Sequence, residues 1–447
     1  MKRNNIKQVV AFVMLFGGIW TVFAQQKKWT LQECVNHALE HNITIQQTQN
    51  TLLSNDQDII AAKGQFLPSA SGSLSQRMSI GSGFDPVTNQ RINDRTTHSF
   101  SYNFGVSQTV FNGFKTLNQF KQSKLNRETS ELELNKIKDD ISLNVVNAYL
   151  NVAFNKENLQ TAKAQYEFSK KQLQQVKQLV DAGVQPQANI FDAEATLARD
   201  AQQVTLAENS YTLALLTLSQ LLQVPFEGFD VEIIEIENPS ENVMYKSVDP
   251  VLNHALEHRN EIKVAEKDVE NAQLNTEISK SGYYPSVSLG YNFGSVWSES
   301  KYDAFKQAFF RELDLFKGHN ISLGVSIPIF SRFQNKTAVA KSKIQEENSK
   351  LSLQQAKLDL EANIQQAFTD AQAALKAYDA AKKSLESQKL AFKNSKERYD
   401  IGVMTAFDLE QARVQLINAE SSLINAKYDF VFKTKVLDFY AGKSLID

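Results

Sequence analysis

The hexapeptide Asn36-His37-Ala38-Leu39-Glu40-His41 returns as Asn253-His254-Ala255-Leu256-Glu257-His258, an offset of 217 residues. The same offset carries Phe66-Leu67-Pro68-Ser69 onto Tyr283-Tyr284-Pro285-Ser286. An offset of 219 carries Gly105-Val106-Ser107, Phe111 and Phe114 onto Gly324-Val325-Ser326, Phe330 and Phe333. It also carries Asp181-Ala182-Gly183-Val184 onto Asp400-Ile401-Gly402-Val403. A chance hexapeptide match would not keep its register so far, so two copies of one long unit organise the chain.

Each copy reads as short helix, helix, strand, strand, long helix, return helix. The first unit, 25–238, has helices over 30–63, strands near 66–80 and 97–111, a long helix over 112–180 and a return helix over 189–222. The second, 239–447, has helices over 249–281, strands near 284–297 and 319–330, a long helix over 331–399 and a return helix over 405–440. Thr30-x-x-Glu33 is a capping box, and Asp249-Pro250 reads as an N-cap followed by proline at N1. Pro68 and Pro285 stand where a helix must stop and a strand begin. A linker over 223–246 joins the copies, with a short strand expected within 228–236. Residues 81–96 and 298–318 read as loops.

The strands alternate with period two. Leu74, Met78 and Ile80 oppose serines 73, 75 and 79; Phe100, Tyr102, Phe104 and Val106 oppose Ser101, Asn103, Gly105 and Ser107. Val287, Leu289, Tyr291 and Phe293 oppose Ser286, Ser288, Gly290 and Asn292; Ile321, Leu323 and Val325 oppose Ser322, Gly324 and Ser326. Runs of about ten residues suit a tilted strand crossing a bilayer. An ordinary half-buried sheet alternates too. Here, though, the polar face is small-residued, as in a wetted lumen, and nothing else in the sequence offers an apolar layer to cover the sheet. Phe100, Phe104, Leu289 and Leu323 are therefore expected to face lipid. Four strands cannot close a barrel, and open edges in lipid leave backbone groups unpaired at several kcal/mol each. Oligomerisation follows: two chains give eight strands and three give twelve.

The helical stretches 112–180 and 331–399 lack proline, and past Gly113 they lack glycine. At about 1.5 Å per residue each makes a rod of roughly 100 Å. Their seams step by three and four, as in Val145, Ala148, Val152, Asn155, Leu159, Ala162 and, 219 residues later, Ile364, Ala367, Ala371, Ala374, Tyr378, Ala381. The return helices continue it through Ala193, Leu197, Asp200, Val204 and Leu409, Ala412, Leu416, Ala419. This is left-handed coiled-coil spacing, and its alanine-rich seams fit thin staves of a cylinder.

Lys2, Arg3 and Lys7 precede a mostly apolar run over 9–23, and Val22-Phe23-Ala24 offers a cleavage site, so 1–24 reads as an export leader. No Cys stands directly after that site, which argues against lipidation. Without those three cations, 45 of the 48 Lys and Arg stand against 50 Asp and Glu, a net charge of about −5 that gives no reason to expect nucleic acid. The single cysteine, Cys34, forbids an intramolecular disulfide. No later stretch is a transmembrane helix, which leaves an exported chain either soluble or a β-barrel.

The repeat, the prolines before the strands and the hairpin tips together resemble the TolC outer-membrane efflux family. The most specific match is Arg398-Tyr399-Asp400-Ile401-Gly402-Val403-Met404-Thr405-Ala406-Phe407-Asp408-Leu409, with Ala412 after it. Over about residues 29–441, the resemblance implies a mixed α and β membrane protein. Three chains would share one twelve-stranded β-barrel, continued by a long periplasmic coiled-coil α-barrel. It implies passive export of drugs, small molecules or proteins, driven by an inner-membrane RND or ABC pump through a periplasmic adaptor. Members close the periplasmic aperture with a tyrosine, an arginine and two acids. Tyr399 and Asp408 stand at two of these positions; Met404 replaces the arginine and Gln411 the second acid. The matching first-copy acid is Asp192, in a tip read as about three residues longer around Gln185-Pro186-Gln187. Gly183 and Gly402 are helix caps that permit the turns.

No cofactor is expected. His37 with His41 and His254 with His258 have the i, i+4 spacing of a metal pair, but Ala38 and Ala255 stand where a zincin glutamate would. There is no nucleophile elbow, P-loop or dinucleotide fingerprint, so no enzyme is read here. The competing reading is a soluble or surface coiled-coil scaffold or adhesin, which explains the helices but neither the strands nor the leader.

Overall fold

A computed structural model of the chain describes residues 28–84, 89–232, 245–300 and 308–445. The leader over 1–24 and half of the linker (233–244) lie outside them. The first copy opens with α1 (Leu31–His41) and α2 (Ile43–Gly64), the second with α5 (Asp249–His258) and α6 (Asn260–Lys280). Extended backbone at Asn42 (ψ 127°) and Arg259 (ψ 135°) breaks each pair. The capping box forms: Glu33 N donates to Thr30 Oγ1 (3.2 Å) and Thr30 N to Glu33 Oε2 (3.1 Å). At α5 the cap falls one residue before Asp249, on Val248, and Ser247 Oγ accepts from Asp249 N (3.2 Å).

Two strands from each copy make one antiparallel sheet, β2 (Ser69–Phe84), β3 (Arg91–Asn112), β5 (Ser286–Ser300) and β6 (Gly318–Ser326), in that order. The first hairpin runs further than 66–80 and 97–111, because pairing continues past a register shift between Gly81 and Gly83. β6 stops at Ser326, short of 330; Pro328 has no N–H to offer a ladder. The stretch read as a loop at 298–318 contains a helix, α7 (Phe309–Leu315). A second, two-stranded sheet pairs β1 (Lys28–Trp29) in parallel with β4 (Asp230–Val231), where the linker strand was expected.

The long helices α3 (Lys115–Asp181) and α8 (Gln334–Asp400) have 67 residues each, and the return helices α4 (Ala188–Leu222) and α9 (Ala406–Tyr440) have 35. Each long helix packs against two shorter ones in succession. On α3, Arg127 pairs with Asp56 of α2 (2.9 Å), while Lys163 and Lys177 pair with Glu208 and Glu194 of α4 (2.9 and 3.0 Å). The seams bury Val145, Val152, Leu159 and Ala162 of α3 and Leu360, Ile364, Ala371 and Tyr378 of α8. The largest core lies at mid-length, where Cys34, Val35, Val145, Leu218 and Val231 meet. Burial, and then the nearby Glu33 carboxylate, push the Cys34 thiol up to about 12, so it is an inert core residue.

The passage from strand to long helix uses the left-handed region twice in each copy. Gly113 and Phe114 have φ of 67° and 65°, and the residues 219 later, Arg332 and Phe333, have 50° and 63°. A Cβ on Gly113 would come 2.7 Å from Tyr284 Cβ and 2.8 Å from the Ser281 carbonyl oxygen, so glycine is required there.

Candidate functional site: the strand wall and the hairpin tips

Directly paired residues of a sheet share a face. The register therefore puts Gly72, Phe104 and Phe293 together, then Leu74 with Tyr102, Tyr291 with Ile321, and Leu289 with Leu323. The opposite face carries Ser73 with Asn103, Ser71 with Gly105 and Asn292, and Gly290 with Ser322. Phe104, Leu289 and Leu323 stay exposed on the apolar face. Phe100 shares that face but is half-buried, because Phe309 of α7 stacks on it with centroids 5.3 Å apart. Phe100, expected to face lipid, thus keeps its place on the apolar face but is partly covered by a helix.

The apolar face is bounded at both ends. Near the long helices Phe111 meets Phe114, Phe114 meets Tyr284, and Phe330 meets Phe333 in edge-on pairs. At the far end Phe100 and Trp297 face each other, and one pair beyond, His98 and Glu299 turn the face polar. From Val287 to Trp297 is about 34 Å along the strand, or ~26 Å upright at a 40° tilt, close to the apolar band of outer-membrane barrels.

At the other end of the molecule the two tips close alike. Gly183 (φ 72°) donates its N–H to the Val180 carbonyl (2.9 Å) and Val184 to that of Leu179 (2.9 Å). Gly402 (φ 77°) donates to Tyr399 and Val403 to Arg398, each at 2.9 Å. Both are Schellman caps, in which glycine takes a conformation that side chains resist. The three-residue lengthening expected of the first tip is absent: residues 182–187 separate its helices and 401–405 those of the second. The seam register of 219 runs on through α4 and α9, so Asp192 matches Gln411 rather than Asp408.

Around these tips Asp192, Tyr399, Phe407 and Gln411 line one groove of about 550 Å³. Gln185 Nε2 donates to Tyr399 Oη (3.1 Å), which ties the first tip to the second. Met404 is half-buried in the turn. Asp408 is engaged locally: Thr405 Oγ1 donates to Asp408 Oδ2 (2.7 Å) and accepts from Asp408 N (3.1 Å), capping α9. The acid expected at the aperture thus also holds the helix start.

Deeper between the hairpins lies a charged knot that spacing did not foretell. Arg413 of α9 is 4% exposed. Its Nη1 donates to Asp200 Oδ2 (2.9 Å) and Ser169 Oγ (3.0 Å), and its Nε and Nη2 donate to Glu410 (2.9 and 3.1 Å). Ser169 also donates to Asp200. Burial disfavours the guanidinium's charge, but the bonds to Glu410 and Asp200 outweigh it, so its pKa lies above the ordinary value. The knot joins α3, α4 and α9. A signal was present: Asp200 is the acid in a seam filled mostly by apolar side chains.

The histidine pairs stack, His37 on His41 at 4.2 Å and His254 on His258 at 4.4 Å. The Nδ1 atoms of His41 and His258 lie 3.2 and 3.1 Å from the carbonyl oxygens one turn back. Among the described residues no three His, Cys, Asp or Glu side chains gather as a metal site. No described helix is long and apolar enough to cross a membrane.

Comparison with known proteins agrees with this architecture. The profile of the outer membrane efflux protein family matches twice, over residues 34–223 and 251–442. Outer membrane protein TolC of Vibrio cholerae is 22% identical over 291 residues, which is 65% of this chain and 64% of that protein's length. The alkaline protease secretion protein AprF of Pseudomonas aeruginosa is 20% identical over 354 residues, 78% of this chain and 71% of that one. Among solved structures, the outer membrane protein VceC of Vibrio cholerae superposes with a TM-score of 0.76 at 17% identity, covering 93% of this chain and 96% of that one. Two family matches, one per copy and spanning most of the sequence, leave one assignment: this chain belongs to the outer membrane efflux protein family and is a channel of the outer membrane with a large periplasmic helical part.

Proposed function

We propose that three copies of the chain close one twelve-stranded barrel and one helical tunnel, forming the exit duct of a tripartite efflux or type I secretion system. The observation that carries this is the four-stranded sheet whose apolar face is long enough to span a bilayer, with β2 and β6 as its open edges. In lipid those edges demand partners, and β6 of one copy can meet β2 of the next. An inner-membrane RND or ABC pump would supply the energy, and a periplasmic adaptor would grip the tips. A leader over 1–24 would deliver the chain across the inner membrane without lipidation. Native mass measurement of the detergent-extracted protein should give three chains. A stable monomer that inserts into lipid, or release with soluble periplasmic proteins, would overturn the reading.

At the periplasmic end, the aperture would be lined by Tyr399, Asp192, Gln411, Met404 and Asp408 from each copy. Met404 offers no charge to pair with the acids. Closure then rests on the Gln185–Tyr399 bond between tips and on the Arg413 knot behind them. The cargo follows from the pump; AprF, by its name, serves protease secretion.

A further inference from the structure

β5 runs on to Ser300, but β6 begins at Gly318 opposite Gly294, so the outer end of β5 lacks that ladder partner. α7 stands there instead. Ser298 N donates to Glu312 Oε1 (3.2 Å), and Ser295 Oγ donates to the Leu313 carbonyl (2.6 Å). Leu313 is buried, and Phe309 packs on Trp297 (5.1 Å) and on Phe100 of β3 (5.3 Å). The Phe309, Leu313 and Ser295 contacts lie on the apolar face, just below the level where His98 and Glu299 make it polar, and the Ser298 bond lies at the edge of β5.

Having buried Phe309 and Leu313, the helix leaves Phe310 83% exposed, Leu315 61% and the adjoining Phe316 60%. Its two acids are engaged, Glu312 with the sheet and Asp314 with Lys317 (2.6 Å). Arg311 lies at the surface. A short helix with large apolar groups outward, compensated acids and added cations suits the boundary between acyl chains and anionic headgroups. Phe309 reaches inward over β5 to β3. The helix therefore takes the place beyond the end of β6 and leans over β5 towards β3, with Phe310, Leu315 and Phe316 turned away from this chain's own sheet.

We propose that α7 is an interfacial anchor that inserts Phe310, Leu315 and Phe316 into the outer leaflet at the acyl–headgroup boundary. It fixes the depth of the barrel in the membrane and rests on the barrel reading above. The lipid-facing band thereby ends in an amphipathic helix docked on the strands instead of a plain strand rim.

The test uses Phe310→Cys labelled with a bimane, in the full chain reconstituted into phosphatidylcholine–phosphatidylglycerol vesicles carrying doxyl lipids. Cys34 is fully buried, so the wild-type chain serves as the unlabelled blank. Ile321→Cys, on the apolar face near mid-band, is the control. The anchor predicts that the label at 310 is quenched at least twofold more by 5-doxyl than by 12-doxyl lipid, with the order reversed at 321. Quenching at 310 by aqueous iodide but not by lipid would overturn the anchor while leaving the barrel intact. Quenching by neither would place a neighbouring copy over α7 and overturn it equally. Loss of lipid quenching at 321 as well would bring down the barrel reading itself.

Discussion

Arg413 on α9 reaches Asp200 on α4, its Nη1 2.9 Å from Oδ2, and both side chains are buried in the seam between the hairpins. A buried ion pair adds little net stability compared with an apolar pair, because each charge loses its hydration. Breaking it from one side is different: without Arg413 the Asp200 carboxylate stays buried with only Ser169, whereas without Asp200 the guanidinium keeps Glu410.

Arg413→Met should therefore destabilise the chain by about 3–5 kcal/mol, Asp200→Leu should cost less because Glu410 still pairs with Arg413, and the double variant should lose less than the sum of the two. Urea unfolding of the three proteins checks this. Additive losses in the double variant would mean that the pair is not coupled.

The strand register makes a graded prediction. Phe104 pairs with Phe293 near the middle of the apolar band, while Leu323 pairs with Leu289 closer to its periplasmic edge. Arginine at a barrel's lipid face costs about 2–4 kcal/mol at the midplane and about 0–1 near the interface. Phe104→Arg should thus impair membrane assembly more than Leu323→Arg, and Asn103→Arg on the lumen face should assemble normally. Equal yields of heat-modifiable protein from all three would reject the facing.

At the strand-to-helix junctions, Arg332 holds φ 50° at the position where the first copy has Gly113. Left-handed backbone costs a residue with a Cβ roughly 1–2 kcal/mol, partly offset by the entropy glycine loses on folding. Arg332→Gly should be neutral or mildly stabilising, whereas Gly113→Ala should lower the melting temperature by forcing its methyl onto Tyr284 and the Ser281 carbonyl. Calorimetry of the two variants separates the outcomes by sign.

His37 supplies a pH dependence. Burial first, and then repulsion from the stacked His41, lower its pKa below the ordinary value, with Glu40 and a bond to the Leu222 carbonyl opposing. A depressed folded pKa means the folded state binds this proton less well than the unfolded chain. Stability from this site is full above the unfolded value of about 6.5 and falls as pH drops through the folded value. Melting temperature should decline from pH 7.5 towards pH 5, and His37→Gln should flatten the decline. An unchanged slope in the variant would assign it to other groups.

How much of this was legible in the sequence depended on periodicity. The strands alternate over enough residues, and the staves step by three and four over enough turns, for each to announce its face and type. α7 could not be found that way: it spans 7 residues, and its inner face is defined by Phe100 and Trp297, distant in sequence. Asp200 stood out as an acid in a seam whose second-copy equivalent is Ala419. Its partner Arg413 lies 213 residues away, beyond any local rule. The tip comparison misplaced Asp192 because it aligned acids with acids, where the helical register aligns Asp192 with Gln411.

The aperture offers the most direct functional test. Gln185 donates to the Tyr399 hydroxyl oxygen, so Tyr399→Phe and Gln185→Ala each remove this bond between tips. If that bond holds the resting state, either variant should raise the resting conductance in planar bilayers, and the double variant should add little more. The acids make a second, separable prediction. Three copies each of Asp192 and Asp408 around one axis should favour cations. Asp192 lines the groove beside Tyr399, whereas Asp408 is tied to Thr405. Asp192→Asn should therefore lower cation selectivity with little effect on folding, while Asp408→Asn should do so while also removing a carboxylate from the first turn of α9, at a cost of about 0.3–1 kcal/mol. Selectivity unchanged in both, with conductance unchanged in Tyr399→Phe, would move the constriction away from the tips and up to the Arg413 knot.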